Sequence, residues 1–171
     1  TYRDDYSYGQ LKLVSSKVRD ERVKTLYHIL PEYDKKVAVV NVPITYPPPK
    51  VKNGYIISYF MTPSLDKDFT YPSSLKEEIK NVIGEYIIGV STSNTDLRQM
   101  GKDIVLKRIY DVDKQRFDLT EFFIKEKGCD FIFTVIMGAD RMSHLFYRYF
   151  DKNHIRYIPH PKYKDALKNY Y

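Results

Sequence analysis

Phe131-Ile132-Phe133-Thr134-Val135-Ile136-Met137, running straight into Gly138-Ala139-Asp140-Arg141-Met142-Ser143-His144, is the most informative stretch of the chain. Its first half is apolar except for Thr134, the pattern of a strand buried between two layers. Its second half opens a helix over Asp140 to Phe150. A second run, Lys36 to Asn41, places Val37, Ala38, Val39 and Val40 in succession. That is too short for a helix and too continuous for a half-exposed strand, so it too predicts a buried parallel strand.

Helical spacing separates these strands. Ser15 and Ser16 offer a cap for a helix carrying Val18, Val23, Leu26, Tyr27 and Leu30 up to Pro31. Ser74 and Glu77 have capping-box spacing ahead of Leu75, Ile79, Val82 and Ile83, with Gly84 as the stop. Leu97, Met100, Ile104, Ile109 and Val112 continue the helical pattern beyond the polar segment Thr92 to Thr95. A second helix, either separate or continuous with it, carries Phe117, Phe122 and Phe123 and stops at Gly128. Lys162 to Tyr171 starts one more helix. Tyr55 to Phe60 and Tyr86 to Ser91 read as further strands, while Val42 to Gly54, with Pro43 and Pro47 to Pro49, is a stiff loop. Strands alternating with helices predict an α/β fold with a parallel sheet covered by helices on both faces. Ligands in such sheets sit beyond the carboxyl ends of the strands.

The chain has 171 residues, 43% of them hydrophobic and 29% charged, within the range of one packed domain. Its single cysteine, Cys129, excludes a disulfide framework and reads as a small core residue. No apolar run reaches the roughly 18 residues of a membrane span, and the start is not signal-like, so the expectation is a cytoplasmic protein without membrane contact. Lys and Arg outnumber Asp and Glu by 28 to 22, giving a net charge of +6, which favours anionic partners. The basic residues are dispersed and no nucleic-acid motif is present, which argues against dedicated nucleic-acid binding. No Gly-rich phosphate loop and no nucleophile elbow occur.

Two constellations can carry chemistry. Asp140 and His144 stand one helical turn apart at a strand exit, where a carboxylate oxygen and an imidazole nitrogen can ligate a divalent metal. Gly138 and Ala139 would let a ligand approach the backbone. The alternative is Asp140 as an ordinary N-cap and His144 as a partly buried histidine hydrogen-bonded to a neighbour. The second constellation, Asn41, Thr45 and Tyr46, lies on the proline-stiffened loop at a strand end and can touch a polar substrate; the alternative is a rigid connection. Arg141, Arg148, Lys152 and Lys162 could draw phosphate toward the first pair. His28, His154 and His160 read as packed, surface or loop residues.

The runs NVPITYPPPKVKNGYIISYFMTPS, FIFTVIMGADRMSHLFYRYFDKNH and PKYKDALKNYY, in this order, resemble the type I phosphodiesterase and nucleotide pyrophosphatase family of the alkaline phosphatase superfamily, its microbial and archaeal members in particular. The similarity runs from about Leu11 to Tyr171. It implies a partial doubly wound, mostly parallel sheet with helices on both faces, an alkaline phosphatase-like core of which this chain is the central portion, both ends being cut. It also implies two divalent metals, zinc or alternatively manganese, with Asp140 and His144 ligating one of them. Asn41, Thr45 and Tyr46 would line the substrate side. The threonine nucleophile and the remaining ligands would lie before Thr1 and after Tyr171. The implied activity is hydrolysis of phosphodiester or pyrophosphate bonds in a small nucleotide-like substrate. Phosphomonoesterase or phosphomutase chemistry, and a non-catalytic phosphate- or nucleic-acid-binding module, are the alternatives.

Overall fold

The structure, a computed structural model, describes residues 24–59, 62–90 and 100–171. The described residues fall into two compact units, one drawn from positions up to 88 and from 118–135, the other from 89–117 and 136–171. The first is built on a four-stranded sheet. Strands β1 (Val37–Val42), β2 (Gly54–Ser58), β3 (Thr70–Tyr71) and β4 (Phe131–Thr134) lie in the order β3-β2-β1-β4. β1 pairs in parallel with both β2 and β4, and β3 pairs antiparallel with β2.

Side chains that alternate along β1 and β2 supply two separate cores, as the two-residue period of a strand requires. Ala38, Val40 and Ile57 point to one face, against Leu75 and Ile79 of helix α2 (Leu75–Ile83) and Leu119 and Phe123 of helix α3 (Lys102–Lys125). Phe69 and Tyr86 complete that layer, their rings stacked at 5.2 Å. Val37, Val39 and Ile56 point to the other face, where Tyr27 and Val51 cover them. Tyr27 belongs to a short helix α1 (Leu26–Ile29) that tightens into a 3₁₀ turn at Leu30–Tyr33 around Pro31. A parallel central strand buried on both faces is therefore present as expected.

The sheet is mostly parallel, as expected, with β3 adding an antiparallel edge that two residues of sequence do not announce. Other expectations are corrected. Residues 86–90 form no strand; Tyr86 and Val90 are buried by loop packing. The 131–137 run is regular only over Phe131–Thr134, and it is an edge strand with Phe133 at 46% exposure, not a buried central one. Ser74 adopts helical dihedrals and makes no side-chain cap bond, so the capping box is absent, although Gly84 ends α2 at φ 71° as its freedom allows. The apolar segments 104–112 and 117–123 lie on the one helix α3. The expected positions at Ser15, Ser16, Val18, Val23, residues 92–95 and Leu97 lie outside the described residues.

The second unit contains the first part of α3, helix α4 (Gly138–Phe150) and helix α5 (Ala166–Tyr170). Its buried side chains include Val105, Ile109, Val112, Met142, Phe146, Tyr149, Tyr163 and Leu167. Phe146 and Tyr149 of α4 meet Tyr163 at 5.3 and 5.4 Å between ring centroids. Asp103 of α3 pins this segment by accepting from Tyr163 Oη at 2.7 Å and pairing with Lys162 Nζ at 2.5 Å. Among the described residues no helix is long and apolar enough to cross a membrane.

Gly54 is required where β2 begins. A Cβ there would lie 2.5 Å from both Cγ2 and the carbonyl oxygen of Val37, its partner on β1. Gly54→Ala is expected to unfold the sheet cooperatively at lower denaturant. Leu119→Ala, which empties a fully buried site, is expected to cost about 2–5 kcal/mol. Urea midpoints followed by circular dichroism check both, and an unchanged midpoint in Leu119→Ala would contradict the core assignment.

Candidate functional site

Helix α4 begins without a side-chain cap. Its N-cap residue is Met137, which has no polar group to offer the first-turn N–H donors. A carboxylate from α3 takes that role: Asp113 accepts from the Gly138 backbone N–H and from Tyr170 Oη at 2.5 Å. Arg116 and Arg141 stand close enough to stabilise its charge. Asp113 is 5% exposed, and burial pushes its carboxyl above the usual carboxylate range despite these partners. Burial and the Asp113 carboxylate push the Tyr170 phenol up as well. Gly138 fits because a Cβ there would fall 1.7 Å from Asp113 Oδ2 and 2.4 Å from Tyr170 Oη. The close approach expected of a ligand at Gly138 is thus made by the chain's own carboxylate.

This anchoring sets the direction of the first two turns of α4, which carry Asp140 and His144. Asp140 is inside the helix and caps nothing, so the capping alternative falls. Its Oδ1 lies 3.4 Å from His144 Nε2, with the side chains 57% and 75% exposed. Two donors at ordinary zinc bond lengths around a tetrahedral ion sit roughly 3.3 Å apart, so the pair has the spacing of two ligands on one cation. Among the described residues no group of three or more His, Cys, Asp or Glu side chains assembles a fuller site. Ser143, between them, donates its hydroxyl to Ala139 O at 2.8 Å and faces the same side as His144.

Asn41, Thr45 and Tyr46 occupy the carboxyl end of β1 in the first unit. Asn41 sits at a break in the β1–β2 register with φ 64°, in the left-handed region that Asn tolerates better than most residues. Its Nδ2 donates to Val135 O at 2.6 Å, tying the ends of β1 and β4 together. The side chain is buried, and among the described residues nothing donates to its Oδ1. Thr45 is fully buried, its hydroxyl spent on Val42 O at 2.7 Å and its carbonyl accepting from Ser58 Oγ. Tyr46 is half-buried and precedes Pro47 through a cis peptide. Ile44 also has positive φ, 60°, which is costly for a β-branched residue. Backbone strain is therefore concentrated at this strand end.

The remaining candidates are dispersed. His28 Nδ1 lies 2.6 Å from Thr25 Oγ1 on α1. His160 stacks on Tyr163 at 4.3 Å. Lys162 is committed to Asp103, and Arg141 lies beside Asp113, so neither is gathered at the Asp140–His144 pair. Arg148 does share a groove with His144. Cys129 packs against the first core layer, and burial pushes its thiol up to about 11, the condition of an inert thiol. The residues that sequence reading missed are Asp113, Arg116 and Tyr170. Their only trace is an Asp and an Arg three apart within an apolar helical pattern. No family model, characterised protein or solved structure matches the chain.

Asp113 generates a signed pH effect. Its folded-state pKa is raised above the ordinary value of about 3.9, so the folded chain holds the proton to higher pH than the unfolded chain does. Stability contributed by this group is therefore greatest below that value and falls as pH rises to the raised one, then stays level. Urea titrations across this window should show that slope reduced in Asp113→Asn, and an identical slope in both proteins would refute the assignment.

Proposed function

We propose that this chain forms part of a metal-dependent hydrolase of phosphodiester or pyrophosphate bonds. The observation that carries the reading is the exposed Asp140–His144 pair, 3.4 Å apart and one turn apart on α4. In this reading the two side chains hold one divalent ion, zinc or alternatively manganese, of a two-ion centre completed by residues outside these 171. An alkaline phosphatase-like sheet belongs to the same proposal, supported by the parallel pairing of β1 on both sides.

When bound, the metal supplies Lewis acidity that stabilises charge on phosphoryl oxygens during in-line displacement. A threonine oxygen from elsewhere in the polypeptide forms a bond to phosphorus as the bond to the leaving oxygen breaks. Water then cleaves the threonine–phosphorus link and regenerates the hydroxyl. This chain's own residues bind and orient. Asp140 contributes a carboxylate oxygen and neutral His144 contributes Nε2. Asp113, through the Gly138 N–H, fixes the turn from which both project. In the first unit, Asn41 and Thr45 hold the end of β1 in shape, and Tyr46 beside them is half-buried.

In the intact polypeptide, Asp140→Asn and His144→Ala are each expected to lower bound zinc, measured by plasma emission spectrometry. Each should also lower hydrolysis of bis(p-nitrophenyl) phosphate by about 100-fold or more, beyond the loss given by removing a group behind a ligand. Both residues are exposed, so thermal midpoints should move by no more than about 2 °C. Full metal content in both variants would sink the proposal.

A further inference from the structure

The face of α4 that carries His144 continues into a groove of about 550 Å³, within the size range of small-ligand sites. Ser143, His144, Tyr147 and Arg148 line it from the helix, and His154 and Arg156 from the segment that follows. That segment is folded back and held by its own bonds. Ile158 N donates to Arg148 O at 3.0 Å, and Tyr157 N to His154 O at 2.8 Å. Arg148 Nε donates to Arg156 O at 3.3 Å, so one arginine is braced against the backbone of the other. The ring of His154 stands edge-on to Tyr147 at 5.6 Å.

The chemistry of the wall has one sign. Two guanidinium groups and two imidazoles line the groove, and no carboxylate does. Of the acids on and just after the helix, Asp140 Oδ1 lies 3.4 Å from His144 Nε2 at the edge of the groove, and Asp151 Oδ1 accepts from Asn153 N at 2.9 Å. Arg156 N donates to His154 Nδ1 at 3.2 Å, so the neutral ring carries its proton on Nε2 as a hydrogen-bond donor. Arginine forks match phosphate oxygens in geometry as well as charge.

We propose that this groove is an anion subsite for a diphosphate-type group, engaged by Arg148, Arg156 and His154. His144 belongs both to the groove and to the candidate metal pair, so the subsite adjoins the position where phosphorus would react. This part rests on the hydrolase reading, and it narrows the substrate class to compounds bearing a phosphate beyond the scissile one. Simple phosphodiesters would leave the groove empty.

Inorganic pyrophosphate titrated calorimetrically into the full chain with EDTA present isolates the groove from any metal. Arg156→Ala, at an exposed position where folding is not at risk, and Arg148→Ala should each weaken binding by about tenfold or more. Arg156→Lys should restore part of the loss. Absence of binding at millimolar pyrophosphate, equal binding by wild type and both alanine variants, or tighter binding of a single-stranded oligonucleotide than of pyrophosphate would each overturn the subsite. In the intact polypeptide, Arg156→Ala should raise KM for a nucleoside diphosphate substrate by about tenfold or more, and raise it far less for bis(p-nitrophenyl) phosphate. Arginine-dependent binding without any hydrolysis would remove the enzymatic reading and keep the anion site. Hydrolysis with an unchanged KM would do the reverse.

Discussion

β1 is hydrogen-bonded along both edges and apolar on both faces, and Val37 to Val40 have no solvent-exposed surface. A backbone in that position must find all its partners within the protein, because water cannot reach it. Parallel pairing on both sides satisfies this demand and fixes the register of β2 and β4. The register in turn decides which side chains meet α2 and α3, since a slip by one residue would exchange the two faces. The strained turn at Asn41 and Ile44 follows from the same constraint. β1 must end where its neighbours end, and the chain turns sharply into the proline-rich loop.

How much of this is readable without coordinates depends on the range of the interactions. The run Val37 to Val40 is a signal in itself, because burial on two faces demands an unbroken apolar stretch. Asp140 and His144 are equally legible, four positions on a helix being near neighbours whatever the surroundings. Phe131 to Met137 misleads because an apolar run does not say whether its strand lies at the centre or at the edge. The stretch 86–90 misleads for a related reason: a buried loop residue such as Tyr86 has the same apolar character as a strand residue. β3 is only two residues long, and its pairing with Ile56 and Ile57 is set by tertiary structure.

The anchoring of α4 could not be read locally at all. Asp113, Gly138 and Tyr170 are far apart in sequence, and each has an innocuous local reading as a helix-surface acid, a helix-start glycine and a terminal tyrosine. Their meeting substitutes for the missing cap at Met137. The carboxylate is costly to bury, and the guanidinium groups of Arg116 and Arg141 offset part of that cost. A helix whose entry point is held by a charged buried contact has little freedom to rotate about its axis. For side chains that must converge on one small ion, such rotational stiffness matters more than added stability.

The packed thiol of Cys129 offers a built-in clock. It is uncharged at neutral pH and sits against the layer formed by Leu119, Phe123 and their neighbours. Because it is only partly buried, a disulfide reagent can meet it in the folded chain, at a rate set by its small thiolate fraction. The only sulfhydryl in the sequence thus reports, without any engineered label, how firmly its surroundings keep it protonated.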